Sequence, residues 1–132
     1  MWRQNYLYNK CYSLVNNTWV VSVNMTSGRS EAAAAQLKDG SFLVTGGIYK
    51  HGASLNTSEM FTERGWEILP SLPVTIRAHC MVTVNKTTVM VIGGVMGEVE
   101  TSKKTFYFTF GEKSWSEGPT MKYARYLKSQ CK

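Results

Sequence analysis

The residue types that perform catalysis or bind metals are few in this 132-residue sequence and lie far apart. Its two histidines are His51 and His79, and its three cysteines are Cys11, Cys80 and Cys131. No CxxC or other metal-ligand spacing links them, and an odd number of cysteines cannot all pair within the chain. No nucleophile elbow, HExxH motif or phosphate-binding loop occurs. The sequence therefore predicts no catalytic residue, no bound metal and no cofactor.

Four asparagines stand in the N-x-Ser/Thr pattern that accepts N-linked glycans. They are Asn16, Asn24, Asn56 and Asn85. The motif is short, but such asparagines are modified only in chains that enter the secretory pathway. The four motifs therefore favour an extracellular protein, with a cytoplasmic location as the alternative.

Three kinds of residue recur along the chain in one order. The recurring residues are Gly46-Gly47 and Gly93-Gly94, then Trp19, Trp66 and Trp115, then Arg29, Arg77 and Arg125. The glycine pairs are 47 residues apart, the tryptophans 47 and 49, and the arginines 48. A repeat of this length predicts a supersecondary unit that packs on its neighbours. We expect structural roles for all of them: glycines for close backbone approach, tryptophans between units, and arginines bonding strand-end carbonyls.

Each period contains four short β-like segments separated by turn signals. They span residues 32–37, 41–45, 58–62 and 66–69, and then 80–84, 88–92, 105–109 and 114–117. By local propensity the alanine-rich stretch 30–38 would be a capped helix. Its counterpart in the next period is typical of a strand, so we predict a strand there too. The expected fold class is all-β, built of four-stranded antiparallel sheets.

These motifs resemble the kelch repeat, in which an Arg precedes a strand ending in Gly-Gly, an aromatic strand and a Trp strand. The first copy has Arg29, Phe42 to Gly47, Phe61 and Trp66, and the second has Arg77, Val89 to Gly94, Tyr107 and Trp115. The resemblance implies a kelch-type β-propeller with full blades at 30–77 and 78–125. Residues 1–29 would end a preceding blade and 126–132 would begin a following one. Propellers close with about 4–8 blades, so we expect a fragment whose partners include the remaining blades.

The resemblance implies binding of another protein or peptide without catalysis. The segment 37–47 is similar to extracellular and galactose-oxidase-like kelch propellers, which favours a secreted or cell-surface protein that contacts a protein or glycan. Two alternatives remain. One is the substrate-recognition propeller of a BTB-kelch adaptor for a cullin-type ubiquitin ligase. The other is a galactose-oxidase-like copper enzyme, although no copper ligand set is recognisable.

Blade topology predicts where a partner would bind. The loop between the second and third strands lies on the same side as the connection to the next blade, and these loops converge at one mouth of the channel. Function concentrates on loops held by a rigid scaffold. The residues expected to contact a partner are Glu31, Tyr49, Lys50, His51, His79, Met96, Glu98 and Tyr126.

Charge and hydropathy exclude two other classes of partner. The net charge of +6 is spread along the chain without a basic stripe, so we expect no nucleic-acid binding. No apolar run reaches the roughly 20 residues that cross a bilayer, so we expect no membrane insertion. The polar residues 1–5 are not typical of a signal peptide, and we expect the signal of a secreted parent to lie outside this sequence.

Overall fold

A computed structural model of the chain describes residues 9–126, which consist almost entirely of strands and turns. Within that range a single 3-10 turn, Lys50–Gly52, is the helical element. The predicted all-β class is confirmed. The strands are β1 (Tyr12–Val15), β2 (Thr18–Val21), β3 (Ala33–Gln36), β4 (Phe42–Thr45), β5 (Ser58–Thr62), β6 (Gly65–Leu69), β7 (Ile76–Arg77), β8 (Cys80–Thr83), β9 (Thr88–Ile92), β10 (Val95–Met96), β11 (Glu100–Thr101), β12 (Thr105–Thr109) and β13 (Ser116–Glu117).

The strands form four antiparallel sheets. Sheet I has the order β3-β4-β5-β6, sheet II has the order β8-β9-β12-β13, β1 and β2 form a hairpin, and β10 lies between β7 and β11. Val44 pairs with Glu59 in sheet I, and Val91 pairs with Phe106 in sheet II, 47 residues later in each case. The sequence repeat is therefore also a repeat of strand register. The sheets of the described residues do not close into a ring.

The alanine-rich segment forms strand β3, as predicted, although its ends are one residue shorter on each side. Ala33 and Ala35 are buried while Ala34 and Gln36 are exposed, which is the alternation of a strand with one packed face. Strand β3 lies beside β8, and Thr83 Oγ1 donates a 2.7 Å hydrogen bond to the Gln36 carbonyl oxygen. Small side chains allow this close approach, so tertiary packing overrides the helix propensity of alanine.

The hydrophobic core lies between sheets I and II. Sheet I faces it with small and medium side chains, and sheet II faces it with larger ones. In sheet II, Phe106 and Phe108 are almost fully buried and share a face with Val89 and Val91 across the β9–β12 ladder. The cluster comprises Ala33, Ala35, Leu37, Leu43, Leu72, Ile76, Met81, Val89, Val91, Phe106, Phe108 and Trp115. Each sheet thus buries its apolar face against the other, which a single sheet cannot do alone.

The three repeated tryptophans differ in burial, because they differ in what packs against them. Trp115 is 7% exposed and its ring lies 5.2 Å from that of Phe108, between sheets II and I. Trp66 is half-buried beside Phe61, and among residues 9–126 the two-stranded β1–β2 hairpin is the element that covers that side. Trp19, on that hairpin, is 69% exposed. The expectation that the repeated tryptophans are packed between units is therefore wrong for Trp19.

The second glycine of each pair permits the close contact between strands at the end of β4 and β9. Gly47 has φ +97° and Gly94 has φ +95°, a region that side chains rarely adopt. A Cβ at Gly47 would lie 2.5 Å from the Ser30 carbonyl oxygen, and one at Gly94 would lie 2.6 Å from His79 Cβ. Both glycines are required by conformation and by space.

No helix among residues 9–126 is long and apolar enough to cross a membrane.

Candidate protein-binding face

The connections after β2, β4, β6 and β9 meet at one edge of the sheets, as blade topology predicts. We call this edge the loop face; it comprises residues 22–32, 46–57, 70–79 and 93–104. The small sheet joins two of these connections, because β10 pairs with both β7 and β11. Ser54 Oγ donates to the Gly97 carbonyl oxygen at 3.3 Å, and Ile48 forms bridges to Ser30 and Ser54. Neighbouring repeats therefore share one continuous loop surface.

Arg77 connects three parts of the loop face. Its Nη1 lies 3.0 Å from Glu31 Oε2, and its Nη2 donates to the Glu98 carbonyl oxygen at 3.3 Å. The Arg77 side chain is 28% exposed and that of Glu31 is 45% exposed, so both groups remain accessible to a partner. Arg77, for which the sequence predicts a structural role, thus contacts two of the predicted partner-binding residues, Glu31 and Glu98.

The repeat register shows that Arg77 is not the structural equivalent of Arg29. Ser30 bridges Ile48, and Arg77 pairs with Val95, 47 residues later in both positions. Arg77 therefore occupies the place of Ser30, and Ile76 occupies the place of Arg29. The prediction that Arg29 and Arg77 fill one structural position is wrong by one residue.

The backbone of the third arginine, Arg125, occupies the same repeat position as that of Arg29, as predicted. The Gly47 amide donates to the carbonyl oxygen of Ile76 at 2.8 Å, and the Gly94 amide donates to that of Arg125 at 2.9 Å. Arg125 is therefore equivalent to Ile76 and, one repeat earlier, to Arg29. Its side chain is exposed, whereas Arg29 is buried, so the shared position does not give a shared environment.

Arg29 is the centre of a buried network beneath the loop face. Its guanidinium donates to the carbonyl oxygens of Gly46 and Thr57 and lies 2.7 Å from Glu59 Oε2. Thr26 donates to the other Glu59 oxygen from both its amide and its hydroxyl. Burial alone would raise the pKa of Glu59, but the hydrogen bonds from Thr26 and Arg29 outweigh it and hold the pKa below its ordinary value. Glu59 is therefore a structural anion.

His79 is not exposed on the loop face, contrary to the prediction that it contacts a partner. Its side chain is buried between the sheets, 6% exposed, and its Nε2 lies 2.7 Å from Thr45 Oγ1. Burial, with a smaller contribution from the positive charge of Arg29, lowers the pKa of His79 to about 4. The imidazole is therefore neutral at physiological pH and packs as a core residue.

The remaining predicted contact residues differ in accessibility. Lys50 and His51 are exposed in the 3-10 turn, and the Lys50 Nζ lies 5.6 Å from the centre of the half-buried Tyr49 ring. Tyr126 is 47% exposed. Met96 is half-buried and packs against the core, so the structure limits its contact with a partner.

Three residues of the loop face have left-handed backbone conformations without being glycine. They are Glu31 at φ +52°, His51 at φ +61° and Ala78 at φ +49°. Such conformations cost about 1–3 kcal/mol each, persist where the surroundings fix them, and cluster at binding sites. The Ala78 amide donates to the Glu31 carbonyl oxygen at 2.9 Å, so two of the three hold each other in place.

Three further features bear on chemistry. Among residues 9–126 no group of three or more His, Cys, Asp or Glu side chains is placed to hold a metal ion. Cys80 is disulfide-bonded and Cys11 is a free thiol, while Cys131 lies outside the described residues. A groove of about 550 Å³ opens on the edge opposite the loop face, lined by the β3–β4 and β5–β6 turns.

Comparison with protein-family models gives no match, and neither does comparison with curated proteins.

Proposed function

We propose that this chain is part of a kelch-type β-propeller that binds another protein or peptide through the loop face. The observation that carries the proposal is the position of Arg77, which joins Glu31 and Glu98 into one accessible surface. Charged groups set the specificity of protein contacts, and exposed or half-buried aromatic residues such as Tyr49 and Tyr126 offer rigid contact area.

The propeller assignment is supported by how the two four-stranded sheets relate. They repeat at 47 residues, pack face to face, and place their first strands, β3 and β8, side by side. Trp66 and Trp115 each reach back to the preceding sheet or hairpin. Radial repetition of four-stranded sheets with inner strands adjacent is the arrangement of propeller blades.

A secreted or cell-surface location is supported by the disulfide at Cys80. Disulfides persist in oxidising compartments and are rare in the cytosol. This favours the extracellular interpretation over an intracellular ubiquitin-ligase adaptor.

The loop face can be tested with peptides selected from a displayed random library on the intact chain. Arg77→Ala is expected to weaken binding of the selected peptides at least 10-fold, as the loss of a central interface arginine does. The matched control is Lys113→Ala, an exposed cation on the opposite edge. Because the Arg77–Glu31 pair is partly exposed, its loss should cost no more than about 1 kcal/mol of stability, so the variant should fold. Peptides that bind Arg77→Ala normally but lose affinity for Lys113→Ala would contradict the proposal.

A further inference from the structure

Asn85 differs from the other three glycosylation motifs in how its side chain is held. It lies in the exposed turn between β8 and β9, and its Oδ1 accepts hydrogen bonds from the Thr87 amide at 2.9 Å and from Thr87 Oγ1 at 3.3 Å. No described residue accepts a hydrogen bond from Asn85 Nδ2. The amide nitrogen is therefore free and solvent-facing, while the hydroxyl two residues later already bonds the amide oxygen.

This arrangement suits transfer of a glycan to the amide nitrogen. An amide nitrogen is a poor nucleophile because its lone pair is delocalised onto the oxygen. A hydroxyl that donates to Oδ1 stabilises negative charge there as Nδ2 loses a proton. The turn is also local, since the Val84 and Asn85 amides both donate to the Thr88 carbonyl oxygen. Its geometry therefore does not depend on distant parts of the fold.

By the same criteria, the Asn56 motif is not available for glycan transfer. Asn56 is half-buried and its Nδ2 donates to the Leu72 carbonyl oxygen at 3.2 Å. The hydroxyl residue of that motif, Ser58, is fully buried in β5. A glycan on Asn56 would break the bond to Leu72 and would emerge at the loop face.

The Asn24 and Asn16 motifs lack the hydroxyl-to-amide bond. Asn24 is exposed, but the hydroxyl of its motif, on Thr26, donates to Glu59 in the buried network. Asn16 is exposed in the β1–β2 turn, and no hydrogen bond joins its side chain to Thr18 among the described residues. Asn85 is thus the described motif in which both requirements are met.

We infer that Asn85 carries an N-linked glycan and that Asn56 does not. In the reaction, Asn85 Nδ2 forms a bond to the anomeric carbon of a lipid pyrophosphate-linked oligosaccharide. The bond from that carbon to the pyrophosphate oxygen breaks, the lipid pyrophosphate leaves, and Nδ2 loses one proton. The β8–β9 turn lies on the edge opposite the loop face, so the glycan leaves that face open. The inference rests on the proposed secretory location, which the disulfide at Cys80 supports.

The test uses the full chain with an added secretory leader, expressed in cultured eukaryotic cells. The leader guarantees entry to the secretory pathway, so this test is separate from the test of the natural location. Site occupancy is read by glycosidase treatment in oxygen-18 water and peptide mass mapping. We expect labelled aspartate at position 85 and unmodified asparagine at position 56.

Variants make the assignment specific. Asn85→Gln and Thr87→Ala should each remove the same glycosidase-sensitive mass shift, Thr87→Ser should retain it, and Asn56→Gln should leave the pattern unchanged. Unmodified Asn85 in the secreted chain, or a glycan on Asn56, would overturn the inference.

Discussion

The indole Nε1 of Trp115 donates a 2.8 Å hydrogen bond to the backbone carbonyl oxygen of Pro70, just after the last strand of sheet I. Trp66 makes the same contact one repeat earlier, to the carbonyl oxygen of Val23 at 2.8 Å. In both cases the acceptor stands four residues after the preceding tryptophan of the repeat. Each sheet is thus tied to the one before it by a side-chain-to-backbone bond at a fixed repeat position.

The burial of the three tryptophans predicts a graded loss of stability. Trp115→Ala should lower the free energy of unfolding by about 3–5 kcal/mol, as large aromatic truncations in cores do. Trp19→Ala should change it by less than about 0.5 kcal/mol, as a surface substitution does. Trp66→Ala should fall between them. Urea unfolding followed by far-ultraviolet circular dichroism measures all three, and equal losses would contradict the graded packing.

The buried Arg29–Glu59 ion pair can be replaced by the apolar residues that occupy the equivalent positions of the next repeat. Register places Ile76 where sheet I has Arg29, and Phe106 where it has Glu59. Arg29→Ile alone should cost about 3–5 kcal/mol because it leaves a buried carboxylate without its cation. Arg29→Ile combined with Glu59→Phe should recover most of that loss, since well-packed apolar pairs often replace buried ion pairs without cost. A double variant less stable than the single one, in chemical denaturation at pH 7, would show that the pair is not interchangeable.

Stability should fall as the pH decreases below about 6.5. The unfolded chain protonates His79 near 6.5, whereas the folded chain does so only at about 4, so proton uptake between these values favours unfolding. The loss from His79 should reach about 3 kcal/mol at pH 4. Glu59 adds to the loss at lower pH, because its depressed pKa stabilises the fold only while the carboxylate is charged.

The other histidine provides the control for this pH dependence. His79→Gln should flatten the stability profile between pH 6.5 and 4, whereas the exposed His51→Gln should leave it unchanged. The measurement is the unfolding free energy across that range, and a profile that His79→Gln does not alter would contradict the assignment.

Gly111 and Gly94 both have left-handed backbone, but they differ in the space around a Cβ, so alanine at the two positions should lower the free energy of unfolding by different amounts. Gly111 has φ +91° with no atom near its missing Cβ, so Gly111→Ala should cost only the left-handed backbone strain, about 1–2 kcal/mol. Gly94→Ala adds the collision with His79 and should cost about 1–3 kcal/mol more. Thermal unfolding of the two variants checks the order, and equal melting temperatures would show that the structure yields at Gly94.

Much of this fold could be predicted from the sequence because its signals are local. The glycine pairs, turn residues and alternating apolar positions lie within single strands and hairpins, and β3 was recognised by its repeat partner. Burial of the tryptophans could not be predicted, because it depends on which sheet lies behind each one. Trp19 and Trp115 have the same repeat position but face different neighbours.

The loop face was predictable as a region but not residue by residue. Chain topology brings the connections together whatever their sequences, so Glu31 and Glu98 were placed at the correct edge. The predicted equivalence of Arg77 with Arg29 is wrong because the segment from Trp66 to Arg77 is one residue longer than that from Trp19 to Arg29. The burial of His79 had only a weak signal in the sequence: one repeat earlier, 47 residues before it, stands Ala32, an apolar residue just before β3.

The acceptor of each tryptophan is a carbonyl group, which every amino acid possesses. The two acceptor positions hold different residues, a valine at 23 and a proline at 70, and each accepts the bond through its backbone carbonyl. Mutations can therefore accumulate on the receiving side of each junction without disturbing how one unit docks on the next. The donor position requires an indole N–H, whereas the acceptor position requires only a backbone carbonyl, so the units can differ in sequence at the acceptor and still pack in the same way.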